Sequence, residues 1–338
     1  MSDPIVSATN QHRKMSSRMT LILLVLLVFL PRCFYTIELP VEPPPTGKLE
    51  IRTWAYQLQD ADPAAIAQAE FDLVVMDYAR DGSEATRYPA AEIQHIRRSG
   101  TIPIAYLSIG EAEDYRFYWD DRWFDHPPVW LGRENPEWGG NYPVRFWHTE
   151  WKNILHAYLD KIVQQGFAGI YLDRVDVVEY WSDPHNGEDT VLSKADAARR
   201  MIALILDLAH YARSKAQQPF YIIPQNGEQI LAFDDGELLN AISGWAAEDL
   251  FYDATHRWSS EDSAWIAEHR FPLLDRVLHH QKPILSVDYV DDGSGYTGAN
   301  RQRIDDYRKR AQHRGYIPYV ARSDRELDEL NIIPGVQP

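Results

Sequence analysis

Six short apolar stretches of this chain each run into a carboxylate or an amide at or just after their C-terminal end. They are Leu73-Val-Val-Met-Asp77, Ile104-Ala-Tyr-Leu-Ser-Ile-Gly-Glu111, Gly169-Ile-Tyr-Leu-Asp173, Tyr221-Ile-Ile-Pro-Gln-Asn226, Ile242-Ser-Gly-Trp-Ala-Ala-Glu248 and Ile284-Leu-Ser-Val-Asp288. Runs of this length read as strands, and a helical pattern follows nearly every one. In a closed parallel barrel all strand C-termini open on the same face, so these polar ends would converge on one site. Acids scattered through loops would not fall so regularly at strand ends.

From Lys48 onward the alternation continues with no second shift in composition. Strands are expected from Leu49 to Ala55, over a segment ending at Asp77, and from Ile102 to Ser108, Gly169 to Asp173, Tyr221 to Gln225, Ala241 to Ala246, Ile284 to Tyr289 and Ile317 to Ala321. A first helix is expected around Pro63 to Glu70. A second opens at Pro89 and closes at Gly100, as proline and glycine prefer. A third carries Trp151, Ile154, Leu155, Tyr158 and Ile162 on one face and ends at Gly166. A fourth runs from Ser193 to Ser214 with Ala197, Met201, Leu204, Ile205, Leu208 and Ala212 as its buried stripe. Asn300 to Arg314 is helical, and Ser323 is read as the cap of a last short helix. Eight strand–helix units predict a (β/α)8 TIM barrel. An open doubly wound sheet gives the same local alternation and is the alternative.

Of the 338 residues 45% are apolar, enough for one large core, and the net charge is −16. That charge argues against nucleic acid or an anionic membrane surface as partner and is compatible with a neutral or cationic ligand. Cys33 is the only cysteine, which excludes a disulfide framework and a thiolate zinc cluster. His279-His280 has no companion at metal-ligand spacing, so neither metal nor cofactor is expected. Gly293-Ser-Gly-Tyr-Thr-Gly298 matches a dinucleotide fingerprint in form. Asp288, Asp291 and Asp292 precede it and would repel a phosphate, so it is read as a barrel loop.

Residues 1–36 stand apart. Arg13, Lys14 and Arg18 precede an uncharged apolar run from Leu21 to Leu30. Ten residues suit the core of a secretory signal better than a spanning helix, which needs about 20. No small-x-small cleavage site follows, so an uncleaved anchor with Phe34 and Tyr35 at the interface is the other reading. Residues 37–47, with Val41-Glu-Pro-Pro-Pro-Thr-Gly47, form a stiff proline-rich linker. The domain is then 48–338, secreted or extracytoplasmic, with an N-terminal membrane tether if the signal stays in place.

Tyr106-Leu-Ser-Ile-Gly-Glu-Ala-Glu-Asp-Tyr-Arg-Phe-Tyr-Trp119, Gly169-Ile-Tyr-Leu-Asp-Arg-Val-Asp176 and Glu248-Asp-Leu-Phe-Tyr252 resemble, in order and spacing, the endo-α-1,4-polygalactosaminidase-like glycoside hydrolases (family 114). The resemblance extends over Lys48 to Asp324. It implies a TIM barrel that cleaves galactosamine-containing polysaccharide, with Asp173 after strand four and Glu248 after strand six as the catalytic pair. Carboxylates gathered in one cleft are what glycosidic cleavage needs. Asp173 is read as nucleophile. Glu248, beside Trp245 and ahead of Leu250-Phe-Tyr252, is read as an acid kept protonated by an apolar setting.

Asp77, Tyr78, Tyr106, Ser108, Glu111, Asn226, Asp288 and Tyr289 are the expected substrate-binding groups on that face. Glu111, after the tight Ile109-Gly110 turn, could instead be a cap. Asp176 is read either as orienting Asp173 or as a helix cap. Two or three of Trp119, Trp123, Trp130, Trp138 and Trp147 are expected to face sugar rings. Chitinase-like barrels place a glutamate two residues after an aspartate, where Val175 stands here, so substrate-assisted hydrolysis is disfavoured. The remaining alternatives are a different glycan specificity on the same barrel and a non-catalytic polysaccharide-binding barrel.

Overall fold

The structure is a computed structural model that describes residues 47–338, so the export signal or anchor and nearly all of the linker read in the sequence lie outside the described residues. Eight parallel strands form the centre: β1 (Trp54–Tyr56), β2 (Leu73–Met76), β3 (Ile102–Ser108), β4 (Gly169–Asp173), β5 (Tyr221–Pro224), β6 (Trp245–Glu248), β7 (Ile284–Asp291) and β8 (Ile317–Arg322). Ladders join β1 through β5 in sequence order, and β6 to β8 likewise. The two arcs meet where Gln225 pairs with Ala246, with the Asn226 N–H donating to the Ala246 carbonyl at 2.9 Å and the Ser243 N–H to Ile222 at 2.7 Å. On the other side the Trp54 indole donates to the Ile317 carbonyl at 2.9 Å, and its ring packs on Tyr319. Neighbours in space are thus neighbours in sequence all the way round. A doubly wound sheet would instead reverse its strand order at a switch point; the architecture is a TIM barrel.

Apolar stripes place the helices. In α1 (Thr149–Gln165) Trp151, Leu155, Tyr158, Leu159 and Ile162 are buried, and Gly166 ends the helix in the left-handed region at φ 90°. In α2 (Lys194–Lys215) the predicted stripe is buried in full, and the Ser193 hydroxyl accepts from the Asp196 N–H at the start. The barrel interior is filled by stacked aromatics, Trp54, Tyr56, Tyr171 and Tyr319, with ring centroids 5.2–6.4 Å apart. They floor the C-terminal mouth.

Three local expectations fail for identifiable reasons. β1 is shorter than predicted because the Arg52 and Thr53 N–H groups donate to the Asp72 carboxylate rather than to a ladder. The sixth strand starts at Trp245 because Glu237–Ala241 forms a short helix, followed by the Ser243 contact to β5. No helix follows Ser323. Arg325 and Leu327 take positive φ (65° and 52°), and the segment crosses the mouth as a strap, the Leu327 carbonyl accepting from Leu58 and Gln59 N–H at 2.8 and 3.1 Å.

Candidate active site

Asp173 and Glu248 are the last residues of β4 and β6. Each is followed by a residue in the left-handed region, Arg174 at φ 62° and Asp249 at φ 53°, and Asn226 after β5 is left-handed as well at φ 53°. Such a residue turns the chain abruptly out of the strand, at a cost that persists only where the surroundings over-determine it. Gly110 is part of that surrounding. A Cβ there would sit 2.1 Å from the Arg174 carbonyl oxygen, so only glycine lets the β3 and β4 loops approach.

The strand ends surround a cavity of about 570 Å3, with Asp173, Glu248, Tyr56, Tyr106, Asn226 and Tyr289 in its wall. That is ample for a small ligand. The two carboxyls sit in different fields. Burial raises Asp173, but the Arg174 guanidinium and a 2.7 Å hydrogen bond from the Tyr106 hydroxyl favour its charged form. Glu248 is pushed up to about 7, first by burial, then by the charges of Asp173 and Asp249. Hydrogen bonds from the Tyr289 hydroxyl and from Asn226 Nδ2 at 3.0 Å pull it the other way. Asn226 also fixes the strand end, since its Oδ1 accepts the Glu248 N–H at 3.0 Å.

Asp77, Glu111 and Asp176 reach the same cavity. Asp77 is bound to Arg116 at 2.7 Å, and Glu111 to Arg174 at 3.0 Å and to Asn135 Nδ2 at 3.0 Å. Glu111 also opens a short antiparallel ladder, Glu111–Glu113 against Asn141–Pro143, inside the long loop. Asp176 precedes the short helix Val177–Ser182 without a side-chain cap bond and lies 3.7 Å from Arg174.

Three expected binding groups are not in the cavity wall. Tyr78 follows Asp77 and points to the opposite face, as strand geometry requires; it is buried against Tyr158 and Phe117. Asp288 is likewise the outward neighbour of Tyr289 and accepts the Leu250, Phe251 and Tyr252 N–H groups, shaping the loop after Glu248. Ser108 is covered by the turn it stabilises, donating to the Glu111 carbonyl at 2.9 Å. Of the five loop tryptophans only Trp138, 58% exposed, lines the cavity. Trp119, Trp123 and Trp130 pack edge to face with one another, and Trp147 packs on Trp181 and Phe146.

Several groups around the site went unassigned in the sequence. Arg116 and Glu113 stand inside the long motif and form a buried triad with Asp77, Arg116 Nε lying 2.7 Å from Glu113. Arg270 pairs with buried Glu228 and donates to the Glu248 carbonyl at 3.1 Å and to Asn226 Oδ1 at 3.2 Å. Arg325 comes from the strap, for which no sequence pattern gave notice. Eight carboxyl groups and three guanidinium groups line the cavity in all, so its balance is acidic. Among the described residues no group of three or more His, Cys, Asp and Glu side chains is arranged to hold a metal ion.

The described fold is shared with solved structures of low sequence identity. The glycoside hydrolase domain of PelA from Pseudomonas aeruginosa superposes with a TM-score of 0.60 at 20% identity, covering 84% of this chain and 98% of that one. Aspergillus fumigatus Ega3, solved in complex with galactosamine, gives 0.56 at 16% identity, covering 82% and 94%. In sequence the chain is 52% identical over 279 residues to an uncharacterised protein of Methanocaldococcus jannaschii, covering 82% of this chain and 78% of the relative. It is 49% identical over 285 residues to one of Thermotoga maritima, covering 84% and 85%. Residues 38–336 match glycoside-hydrolase family GH114. With that match spanning nearly the whole barrel, the chain belongs to glycoside-hydrolase family GH114, and it is a TIM-barrel glycoside hydrolase.

Proposed function

We propose that this enzyme cleaves internal α-1,4 linkages of polysaccharide containing galactosamine or N-acetylgalactosamine, with retention of anomeric configuration and without a cofactor. The observation that carries this reading is the pair of buried carboxyls on one cavity, one with a guanidinium beside it and the other with two carboxylates. Asp173, with a guanidinium beside it, is the nucleophile that bonds to the anomeric carbon. Glu248, held protonated, gives its proton to the departing glycosidic oxygen. Glu248 then takes a proton from the water that displaces Asp173, which restores both groups. The acidic cavity supports an amino-sugar substrate, as does the galactosamine complex of Ega3. We also place the enzyme outside the cytoplasm, secreted or tethered through residues 1–36, on the basic flank and apolar run of that segment.

A product screen on hexosamine polymers tests the substrate. Partly deacetylated galactosaminan should be cleaved faster than the fully acetylated polymer, and the rate should fall as salt rises. Opposite unit charges at about 4 Å gain about 4 kcal/mol at an effective dielectric near 20, and salt screens exposed pairs over about 8–10 Å. Equal rates on both polymers with no salt dependence would remove the amine from the recognition.

The acid–base assignment has its own readout. With Glu248 at about 7, kcat/KM should decline on the alkaline side from about that pH. Burial of Asp173 should put the acid limb above the usual aspartate range. The two limbs report the coupled pair as a whole. A profile still flat two units above neutrality would count against Glu248 as the proton donor.

A further inference from the structure

The strap after β8 brings a cation to the acid side of the cavity. Arg325 makes a two-pronged ion pair with Asp249, Nη1 to Oδ2 and Nη2 to Oδ1, each at 3.0 Å, and Nη2 also reaches Asp253 at 3.3 Å. Its guanidinium lies over the Tyr289 ring, 4.4 Å from the centroid. Asp249 is the residue after Glu248, and the Tyr289 hydroxyl is bound to the Glu248 carboxyl. One side chain therefore grips both groups that flank Glu248. The grip is fixed from behind: besides the Leu327 contacts, Gln59 Nε2 donates to the Glu326 carbonyl at 3.0 Å and Gln57 Nε2 to Asp328 at 2.9 Å.

We propose that Arg325 is a positioning residue for the reaction, holding Asp249 and Tyr289 against Glu248 and tuning when that carboxyl releases its proton. This rests on Glu248 being the proton donor, as argued above. The cation acts in three ways. It neutralises Asp249, whose bare charge would hold the Glu248 proton more tightly. It sits over the phenol ring, which makes the Tyr289 hydroxyl a stronger donor to the ionised carboxylate. It also favours that carboxylate directly through space. All three lower the proton affinity of Glu248.

Other groups face the same carboxyl. Asp173 and Tyr171 on β4 and Tyr56 on β1 interact with it from across the barrel. Asn226 binds its second oxygen, and Arg270 holds its main-chain carbonyl. Asp288, bound to the loop after Glu248, lies beside Asp249, and burial followed by the Asp249 charge pushes its carboxyl well above the usual aspartate range. None of these contacts passes through Arg325, so altering Arg325 or Asp249 tests the proposed connection with the others in place.

The test uses full-length protein labelled with 13C at the glutamate carboxyls, the Glu248 signal being the one lost in E248Q. In Arg325→Gln the Glu248 titration should move up by about half a pH unit, since the cation is gone and Asp249 is uncovered. In Asp249→Asn it should move down by a similar amount, because a like charge is removed and Arg325 is freed. The double variant should fall between the two, and Arg325→Lys, which keeps the charge without the planar fork, should lie nearer to wild type than Arg325→Gln. A purely structural role would not move the two single variants in opposite directions. An unmoved titration, or the same direction in both, overturns the proposal.

The alkaline limb of kcat/KM should follow the same order. If the carboxyl signals move as stated but E248Q keeps the wild-type alkaline limb on an activated substrate, the coupling of Arg325 to Glu248 stands, and the proton-donor assignment falls and takes the role in the reaction with it.

Discussion

Asp173→Asn and Glu248→Gln should each lower turnover by at least about 100-fold while leaving the barrel folded, because a positioned acid or base contributes about 10² to 10⁴. Both swaps keep shape. Asn at 173 still accepts the Tyr106 hydroxyl but offers no anion to the anomeric carbon. Gln at 248 still accepts from Tyr289 but has no acidic proton to give. The two should separate on a substrate with a good leaving group, which needs no proton at departure. Such a substrate should partly restore Glu248→Gln and leave Asp173→Asn inactive. The reverse pattern would exchange their roles, and near-wild-type turnover in either purified variant would remove that residue from the chemistry.

Arg116→Gln should destabilise the fold by about 3–5 kcal/mol at neutral pH, the range for breaking a buried pair from one side. The Arg116 side chain is 2% exposed and is the only cation bound to Asp77 and Glu113 among the described residues. Glutamine would leave both carboxylates buried without it. The deficit should depend on pH with a definite sign. Burial already raises Asp77 with Arg116 present, and without the guanidinium only the Ala79 N–H bond opposes that push. The folded variant would then keep a proton at Asp77 that the unfolded chain releases, so its stability drops as pH rises through that window. Urea denaturation at pH 7 and pH 5 measures this: the gap to wild type should narrow at pH 5. A gap under about 1 kcal/mol, or one that widens on acidification, would mean that the triad is relaxed by water or by rearrangement.

The barrel was legible because its physics is local. A strand buried in a parallel barrel must be apolar until it emerges, and the residue at which it emerges is free to be polar. That is why β3 and β4 were placed at their observed ends, and why Asp173, Glu248, Asn226, Asp77 and Glu111 were drawn to one face. Strand ends alone overcount the groups that face the cavity, because side chains alternate along each strand. Asp77 with Tyr78, and Asp288 with Tyr289, are adjacent pairs, and only one member of each can look inward. The aromatic loop misled in another way: its tryptophans have mostly each other to pack against, and composition does not distinguish a packed ring from a presented one. Arg325 was out of reach for a third reason. It meets Asp249 from 76 residues away through a loop with no periodicity, so neither spacing nor pattern connects them.

The strap's bond to the loop after the first barrel strand bears on how the molecule assembles. Leu327 meets Leu58, and Trp54 meets Ile317 across 263 residues, so the contacts that complete the mouth join the two ends of the barrel sequence. Closing so long a loop brings its entropic cost before the contacts it permits. A chain still emerging from the ribosome can form the ladders from β1 to β5 well before β8 exists. Until the ring shuts, β1 presents an open edge, the kind of surface that invites pairing with another chain. The finished mouth, and with it Arg325 beside Tyr289, belongs to the last stage of maturation.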